Sequence, residues 1–267
     1  MYYELIADIE NNKEYIGNNF VLKENHYITP HYHDGIEILC FYSGEGYVQS
    51  DGEKINVKSG DIAVCNSRQI HTISAFSELK YRYIILKKNF LKKYNFPYKE
   101  KYLINKFQNK EIADFCKFIC NKENETQEWY SEKAHAYLML IAVTLFSQYT
   151  DSERIRINPN INNKTKTVID IMDYIGDNCE KSFSLEEIAV NVGYSKYYIC
   201  KIFKELTNQT IIEYINRLKC SKAIEDLKSG EYTVYETANK YGFENFSYFS
   251  EIFKKYTGKS PSYFKKS

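Results

Sequence analysis

The sequence predicts an α+β chain of two domains: an antiparallel β-barrel followed by a helical segment, then an all-α domain carrying two helix-turn-helix units. Three observations carry this. Short β-rich runs divided by turn residues fill roughly residues 20–86. Apolar residues at helical spacing take over from about residue 91. From Ser184 onward a helix–glycine–helix pattern occurs twice, about 49 residues apart.

The strands come first. Residues 36–42 form a β-rich run that ends in Ser-Gly-Glu-Gly. Asp51-Gly52 interrupts alternating residues between Val48 and Val57, which is a strong hairpin signal. Gly60-Asp61 turns the chain into 62–65, Asn66-Ser-Arg turns it into 70–73, and 81–86 is the last strong strand. Regular spacing of short strands predicts a closed or sandwiched antiparallel barrel.

Helices follow. Ile112, Phe115, Cys116 and Ile119 make one stripe, and Ala134, Leu138, Ile141, Ala142 and Leu145 make a second. The second stripe must bury against a partner, either the barrel or the same helix of another subunit. Residues 150–166 are polar, rich in Asn and carry Pro159, so a linker is expected over 150–163. Val168, Ile171, Met172 and Ile175 then begin the helical domain.

Ser184 with Glu187 three residues on reads as a capping box. Leu185, Ile188, Ala189 and Val192 give that helix its apolar face, and Gly193 ends it. Ser195 caps a second helix with Ile199, Ile202, Phe203 and Leu206 inward, leaving Tyr197, Cys200, Lys201 and Lys204 outward. A packed helical hairpin is the commoner explanation of such a pattern, and the second copy argues against it. Val234, Thr237, Ala238, Gly242 and Phe243 repeat Leu185, Ile188, Ala189, Gly193 and Tyr194, while Gly258 is answered by Asn208, which also tolerates a left-handed backbone. In the second copy Phe249, Ile252, Phe253 and Tyr256 face inward. Between the copies residues 210–227 form one helix, and at 1.5 Å per residue it spans ~27 Å. A spacer of that order can hold two reading helices near one DNA turn apart, ~34 Å.

The stretches SLEEIA with GYS and IFK, then YINRLK, then ETANKYGF with SYFSEIFKKYTGKSPSYF, resemble the DNA-binding domain of the AraC/XylS family of transcription regulators. The resemblance runs continuously from about Lys164 to residue 267. It implies a sequence-specific DNA-binding regulator, usually an activator, acting as a homodimer on double-stranded DNA together with RNA polymerase. By that likeness Lys196, Tyr197, Tyr198, Cys200, Lys201 and Lys204 on the first reading helix would contact DNA. Asn245, Phe246, Ser247, Ser250, Glu251 and Lys254 would do so on the second. Glu251 departs from the basic residue common in the family.

His31, His33 and Glu37 have the spacing H-x-H-x3-E, and His71 follows Gly60 by eleven residues. This resembles the two motifs of the cupin fold, in which three histidines and a glutamate converge on a metal. Asn25 stands where the first motif begins with glycine, Asn66 and Arg68 replace the second motif's proline and glycine, and Ala75 its closing asparagine. The resemblance implies an effector-binding barrel over 1–95, a dimerising helical segment over 96–149 and a DNA-binding domain over 164–267. His31, His33, Glu37, His71 and Tyr42 are the candidate ligand residues, and the first four suit a divalent transition metal, although the regulator reading requires no cofactor. Sugars are the commonest effectors of this domain pairing, and Tyr27, Tyr32, Phe41, Tyr42 and Tyr47 offer rings to stack on one. A metal-dependent cupin enzyme fused to a DNA-binding domain is the alternative, and nothing beyond the ligand set supplies its acid or base. His26 and His135 have no partners by spacing.

Composition neither supports nor opposes DNA binding: the net charge is +1 over 267 residues, with 43% hydrophobic and 27% charged content. The seven cysteines contain no CxxC pair. Cys116 and Cys120 share a helix face, which leaves a redox role as an alternative to free thiols. The first ten residues lack a signal-peptide pattern and no apolar run approaches the ~20 residues of a membrane span, so a cytoplasmic location is expected, with no membrane partner.

Overall fold

A computed structural model describes residues 14–151 and 159–265, with the side chains of 159–162 left aside. The signal-peptide reading of the first ten residues lies outside these. The chain divides into two compact units at residues 162/163.

The first unit is a two-layer β structure. Strands β1 (Tyr15–Leu22), β2 (Ile36–Ser43), β5 (Ile62–Cys65), β7 (Leu79–Leu86) and β9 (Lys106–Phe107) form one sheet in the order β1-β7-β2-β5-β9. Strands β3 (Glu45–Ser50), β4 (Glu53–Lys58) and β6 (His71–Ala75) form the other, in the order β4-β3-β6. All pairings are antiparallel. Asp51 and Gly52, both at positive φ, close the β3–β4 hairpin.

Successive strand residues point to opposite faces, and β2 shows it. Ile36, Ile38 and Cys40 join Ile62, Val64, Ile84 and Leu86 on the outer face of the larger sheet, in one cluster with the helices α1 (Lys88–Lys93), α2 (Lys110–Ile119) and α3 (Tyr130–Gln148). Glu37, Leu39 and Phe41 face the other way, into the space between the sheets. Ala134, Leu138, Ile141, Ala142 and Leu145 of α3 are all buried in that cluster. The leucine and isoleucine side chains among them contribute about 1.5–3 kcal/mol each relative to exposure. The stripe is therefore spent within its own unit.

The thiols of α2 belong to the same packing. Cys116 and Cys120 are buried in the cluster with Cys40. Cys120 is pushed up to about 12, chiefly by burial. A buried thiol held that high is a poor thiolate, which supports the packing role for these cysteines.

Two expected boundaries need correction. Residues 96–149 are not wholly helical: β9 adds an edge to the barrel's larger sheet, and β8 (Tyr102–Leu103) pairs with β10 (Thr150–Asp151). The barrel therefore recruits chain beyond residue 95. The linker of 150–163 is likewise shorter, because Thr150 and Asp151 are in β10 and the helix α4 (Pro159–Asp177) begins at Pro159. Proline is well tolerated in a first helical turn, where its missing N–H costs nothing. Of the expected linker, residues 152–158 lie outside the described residues.

The second unit is helical: α4, α5 (Leu185–Val192), α6 (Lys196–Thr207), α7 (Ile211–Ser229), α8 (Val234–Lys240), α9 (Phe246–Thr257) and α10 (Pro261–Phe264). Among the described residues no helix is long and apolar enough to cross a membrane. The α7 helix is capped by a reciprocal Thr210–Glu213 box, and Gly230 at φ 79° ends it. Its buried face is Ile211, Tyr214, Ile215, Leu218, Ala223 and Leu227.

Candidate functional site

Two places concentrate polar chemistry: the outer faces of the helix-turn-helix units, and the interior of the barrel.

In the first unit of the repeat, Ser195 Oγ accepts from Tyr198 N–H and starts α6. Ile199, Ile202, Phe203 and Leu206 are buried, which turns Tyr197, Lys201 and Lys204 to solvent. Tyr197 is 77% exposed. Cys200 and Tyr198 are half-buried, the latter against the Tyr194 ring at 4.8 Å. Lys196 is not a free cation: its Nζ lies 2.7 Å from Glu186 Oε1 on α5. In the second unit Phe249 and Phe253 are buried, Ile252, Tyr256 and Ser250 half-buried, and Phe246, Ser247, Glu251 and Lys254 exposed. Asn245, also exposed, has a second duty: its Oδ1 accepts from Tyr248 N–H at 3.0 Å, so this side chain caps α9 while its amide NH2 remains to be offered. The Ser184–Glu187 box is also only half as expected. Ser184 Oγ accepts from Glu187 N–H at 3.2 Å, whereas the full reciprocal box is made by Thr233 and Glu236 in the second unit.

Inside the barrel, His71 on β6, Glu37 on β2 and His31 on the segment paired with β6 converge. Their ligand atoms lie within 4.8 Å of one another, and all three residues are buried. His71 Nε2 is 2.8 Å from Glu37 Oε2, and His33 Nε2 is 3.4 Å from the same oxygen. The opposite ring nitrogens are all engaged with main-chain carbonyls: His31 with Thr29 at 2.9 Å, His33 with Gly35 at 3.1 Å, His71 with Gln69 at 2.8 Å. A carbonyl only accepts, so each Nδ1 carries a proton and each Nε2 is the atom directed at the cluster, donating to Glu37 from His71 or His33 when that ring is protonated on both nitrogens and offering a lone pair when it is neutral.

That geometry sets the charges. Burial lowers His71, but its hydrogen bond to Glu37 and the carboxylate's charge outweigh this and raise it. Burial raises Glu37, and the hydrogen bonds from His33 and His71 overcome it to hold the carboxyl well below its usual range. Burial, then the charge on His71, drives His31 down to about 3. The cluster is an anionic oxygen facing imidazole rings held from behind by main-chain carbonyls, which is how metal-binding histidines are oriented. The residues fit a divalent transition metal on His31, Glu37 and His71, with His33 alongside.

Tyr42, expected with these, is not among them. It follows the outward parity of Ile38 and Cys40, is 37% exposed, and lies under the Arg82 guanidinium at 4.2 Å. Of the five aromatics offered for a sugar, Phe41 alone is buried between the sheets, against Tyr81 at 5.4 Å. Tyr27 is largely exposed, Tyr32 lies beneath Arg68, and Tyr47 packs on exposed Phe76. Two departures from the cupin pattern prove to be conformational substitutes. Asn25 and Arg68, each standing where the pattern has glycine, take φ of 58° and 60°. Cys65, paired directly across from Glu37 and 3.9 Å from Ser50 Oγ, is an interior polar neighbour that no spacing rule pointed to.

Comparison with known proteins agrees with both halves. A helix-turn-helix domain model matches residues 184–267, and an AraC-like ligand-binding domain model matches residues 21–95. The multiple antibiotic resistance protein MarA of Escherichia coli is 33% identical over 90 residues, which is 34% of this chain and 71% of MarA. The uncharacterised HTH-type transcriptional regulator YdeC of Bacillus subtilis is 26% identical over 262 residues, 91% of this chain and 87% of YdeC. Among solved structures, ToxT of Vibrio cholerae O395 shares the fold with a TM-score of 0.51 at 16% identity, covering 95% of this chain and 97% of ToxT.

Proposed function

Because the chain belongs to the AraC family of DNA-binding transcription regulators and carries an N-terminal ligand-binding domain, we propose that it is an effector-controlled activator whose effector sits at the His31–Glu37–His71 cluster. The observation that supports the DNA half is the pair of reading helices with buried inner faces and polar outer faces. Tyr197, Cys200 and Lys201 would meet base edges and Lys204 a phosphate, with Ser247, Ser250 and Glu251 reading and Lys254 at the backbone from α9. Glu251 can accept from a cytosine amino group, and beside phosphates it is repelled unless it finds such a donor. Two chains joined through their N-terminal units, recruiting RNA polymerase, complete the reading. The exposed Leu140 and Val143 on α3 are the apolar surface left for that contact.

For the effector, we read a divalent transition metal ahead of a carbohydrate, since imidazole nitrogens and a carboxylate oxygen converge on one point, while the rings between the sheets, Phe41 and Tyr81, pack on each other. Such a metal would supply a positive centre tying β2, β6 and the His31 segment together. It acts on DNA binding only if it prefers one arrangement of the protein over another.

Footprinting upstream of the gene and its neighbours, at two salt concentrations with competitor DNA, tests the DNA half. A protected site with two contacts one turn apart is expected. Lys201→Ala should relax base preference, while Lys254→Ala should weaken all sequences alike. Equal losses on specific and random DNA for both variants would remove the assignment. Elemental analysis of the purified chain beside His71→Ala, with footprints repeated after chelation, tests the effector. Metal in neither protein, with a footprint indifferent to chelator, returns the site to an organic ligand.

A further inference from the structure

The second reading helix begins with an apolar side chain where the first begins with a charged one. Lys196, the first residue of α6, is held by Glu186 of α5 at 2.7 Å. Phe246, the first residue of α9, lies beside Tyr235 of α8 with ring centroids 6.2 Å apart. Tyr235 occupies the repeat position of Glu186, so a pair of rings stands in the second unit where the first has an ion pair between the equivalent two helices. Phe249 also lies beside Phe246, with ring centroids 6.4 Å apart, and is itself fully buried. The ring is thus positioned by its neighbours, yet 43% of Phe246 and 62% of Tyr235 remain exposed.

An aromatic surface left in water on an otherwise polar face is informative. The N-terminal residues of a recognition helix are the ones that approach base edges. Here the remaining groups at that end discriminate weakly: Asn245 gives its Oδ1 to the cap and keeps only its amide NH2, and the hydroxyls of Ser247 and Ser250 suit any base. What an apolar ring can tell apart in the major groove is the C5-methyl group, which only thymine carries. From this juxtaposition we infer that Phe246, braced by Tyr235 and Phe249, determines sequence by packing on thymine methyl groups in the half-site under the second unit.

The inference rests on the DNA-reading assignment above, and the experiment separates the two. The full chain is used to select its preferred duplex from a randomised pool, and thymines under each unit are replaced singly by deoxyuridine, which removes only the methyl. At the thymines under α9 we expect about a fourfold loss of affinity per methyl, the fold-change equivalent to ~0.8 kcal/mol for one buried methyl. Phe246→Ala should bind the unaltered duplex more weakly and ignore the same replacements, while Phe246→Leu should keep part of the response. A single cooperative melting transition for Phe246→Ala, shifted by no more than the loss of this ring packing, shows that the ring's removal leaves the fold intact. Equal uridine penalties in the parent and Phe246→Ala, or a selected half-site without thymine, would overturn the inference. A pool that yields no duplex above random DNA would bring down the DNA-reading assignment and this inference with it.

Discussion

The two helix-turn-helix units share their skeleton and differ in nearly everything the skeleton presents. Ile188 and Ala189 of the first are matched by Thr237 and Ala238 of the second, Ile199 by Phe249, and Phe203 by Phe253, all buried. Asn208 and Gly258 end the two reading helices in the same left-handed conformation, at φ 59° and 74°. Outside the core the likeness stops. One unit joins its helices by the Lys196–Glu186 ion pair and the other by the Phe246–Tyr235 rings. One has a half-made cap and the other a reciprocal box. Positions that the backbone or the core constrains are repeated; positions that face DNA or solvent are free to diverge.

The strongest way to break that comparison is through the shared core. Phe203→Ala and Phe253→Ala should each destabilise the C-terminal unit by roughly 3–5 kcal/mol, read from its denaturant transition. Similar losses would confirm that the two rings do the same work. A difference of more than about 2 kcal/mol would show that one unit carries the other, since the cost depends on how far each site can collapse.

The turn glycines should separate the units. Gly193 and Gly242 have φ of 75° and 68°, and alanine in that region costs about 1–2 kcal/mol. At Gly193 a Cβ meets nothing within 4 Å. At Gly242 it meets the backbone of Lys181 and Ser182 at 3.1 Å, on a loop also held by Lys219 Nζ at 2.9 Å from Lys181 O. Gly242→Ala should therefore lose clearly more stability than Gly193→Ala. Equal melting shifts would mean the 181–182 loop yields freely.

What the sequence could and could not tell follows the same division. The helical repeat was legible because glycine, capping and apolar spacing are local signals, and the buried positions of α6, α7 and α9 agree with them. The β1 strand was half missed: Gly17, Asn18 and Asn19 have poor strand propensity, and the strand is made by its full pairing with β7 and by Asn19 Nδ2 donating to Cys120 O. Strands of two residues such as β8 and β10 have no period to detect. Within the barrel, His31, His33, Glu37 and His71 could be found by spacing. Tyr42 was misassigned because composition ignores strand parity, and Cys65 was missed because a cross-strand neighbour is invisible along the chain. Trp129, at φ 64° ahead of α3, is a left-handed residue nothing local announces.

The caps give a smaller and pH-dependent contrast. Thr233→Ala should cost the C-terminal unit about 1 kcal/mol, and Ser184→Ala less, because only one hydrogen bond is lost there. The backbone hydrogen bond from Thr233, followed by that of its hydroxyl, holds Glu236 below its ordinary value of 4.5. A carboxyl depressed on folding contributes stability that is present above the unfolded value and lost as pH falls through the folded one. Acid titration of stability should therefore steepen below pH 4.5, and Glu236→Gln should flatten that part of the curve.

The smallest expected effect is at the Lys196–Glu186 pair, whose side chains are 53% and 63% exposed. Exposed pairs are screened by salt and contribute little to stability. Lys196→Ala should leave the melting temperature nearly unchanged, more so at high salt, whereas Tyr235→Ala in the other unit should lower it measurably through lost packing. The contrast matters because the two pairs bridge equivalent helices of the two units. If Lys196→Ala instead destabilised the fold at high salt, the ion pair would be positioning α6 rather than merely flanking it. The units would then differ in how each reading helix is held, not only in what it shows to DNA.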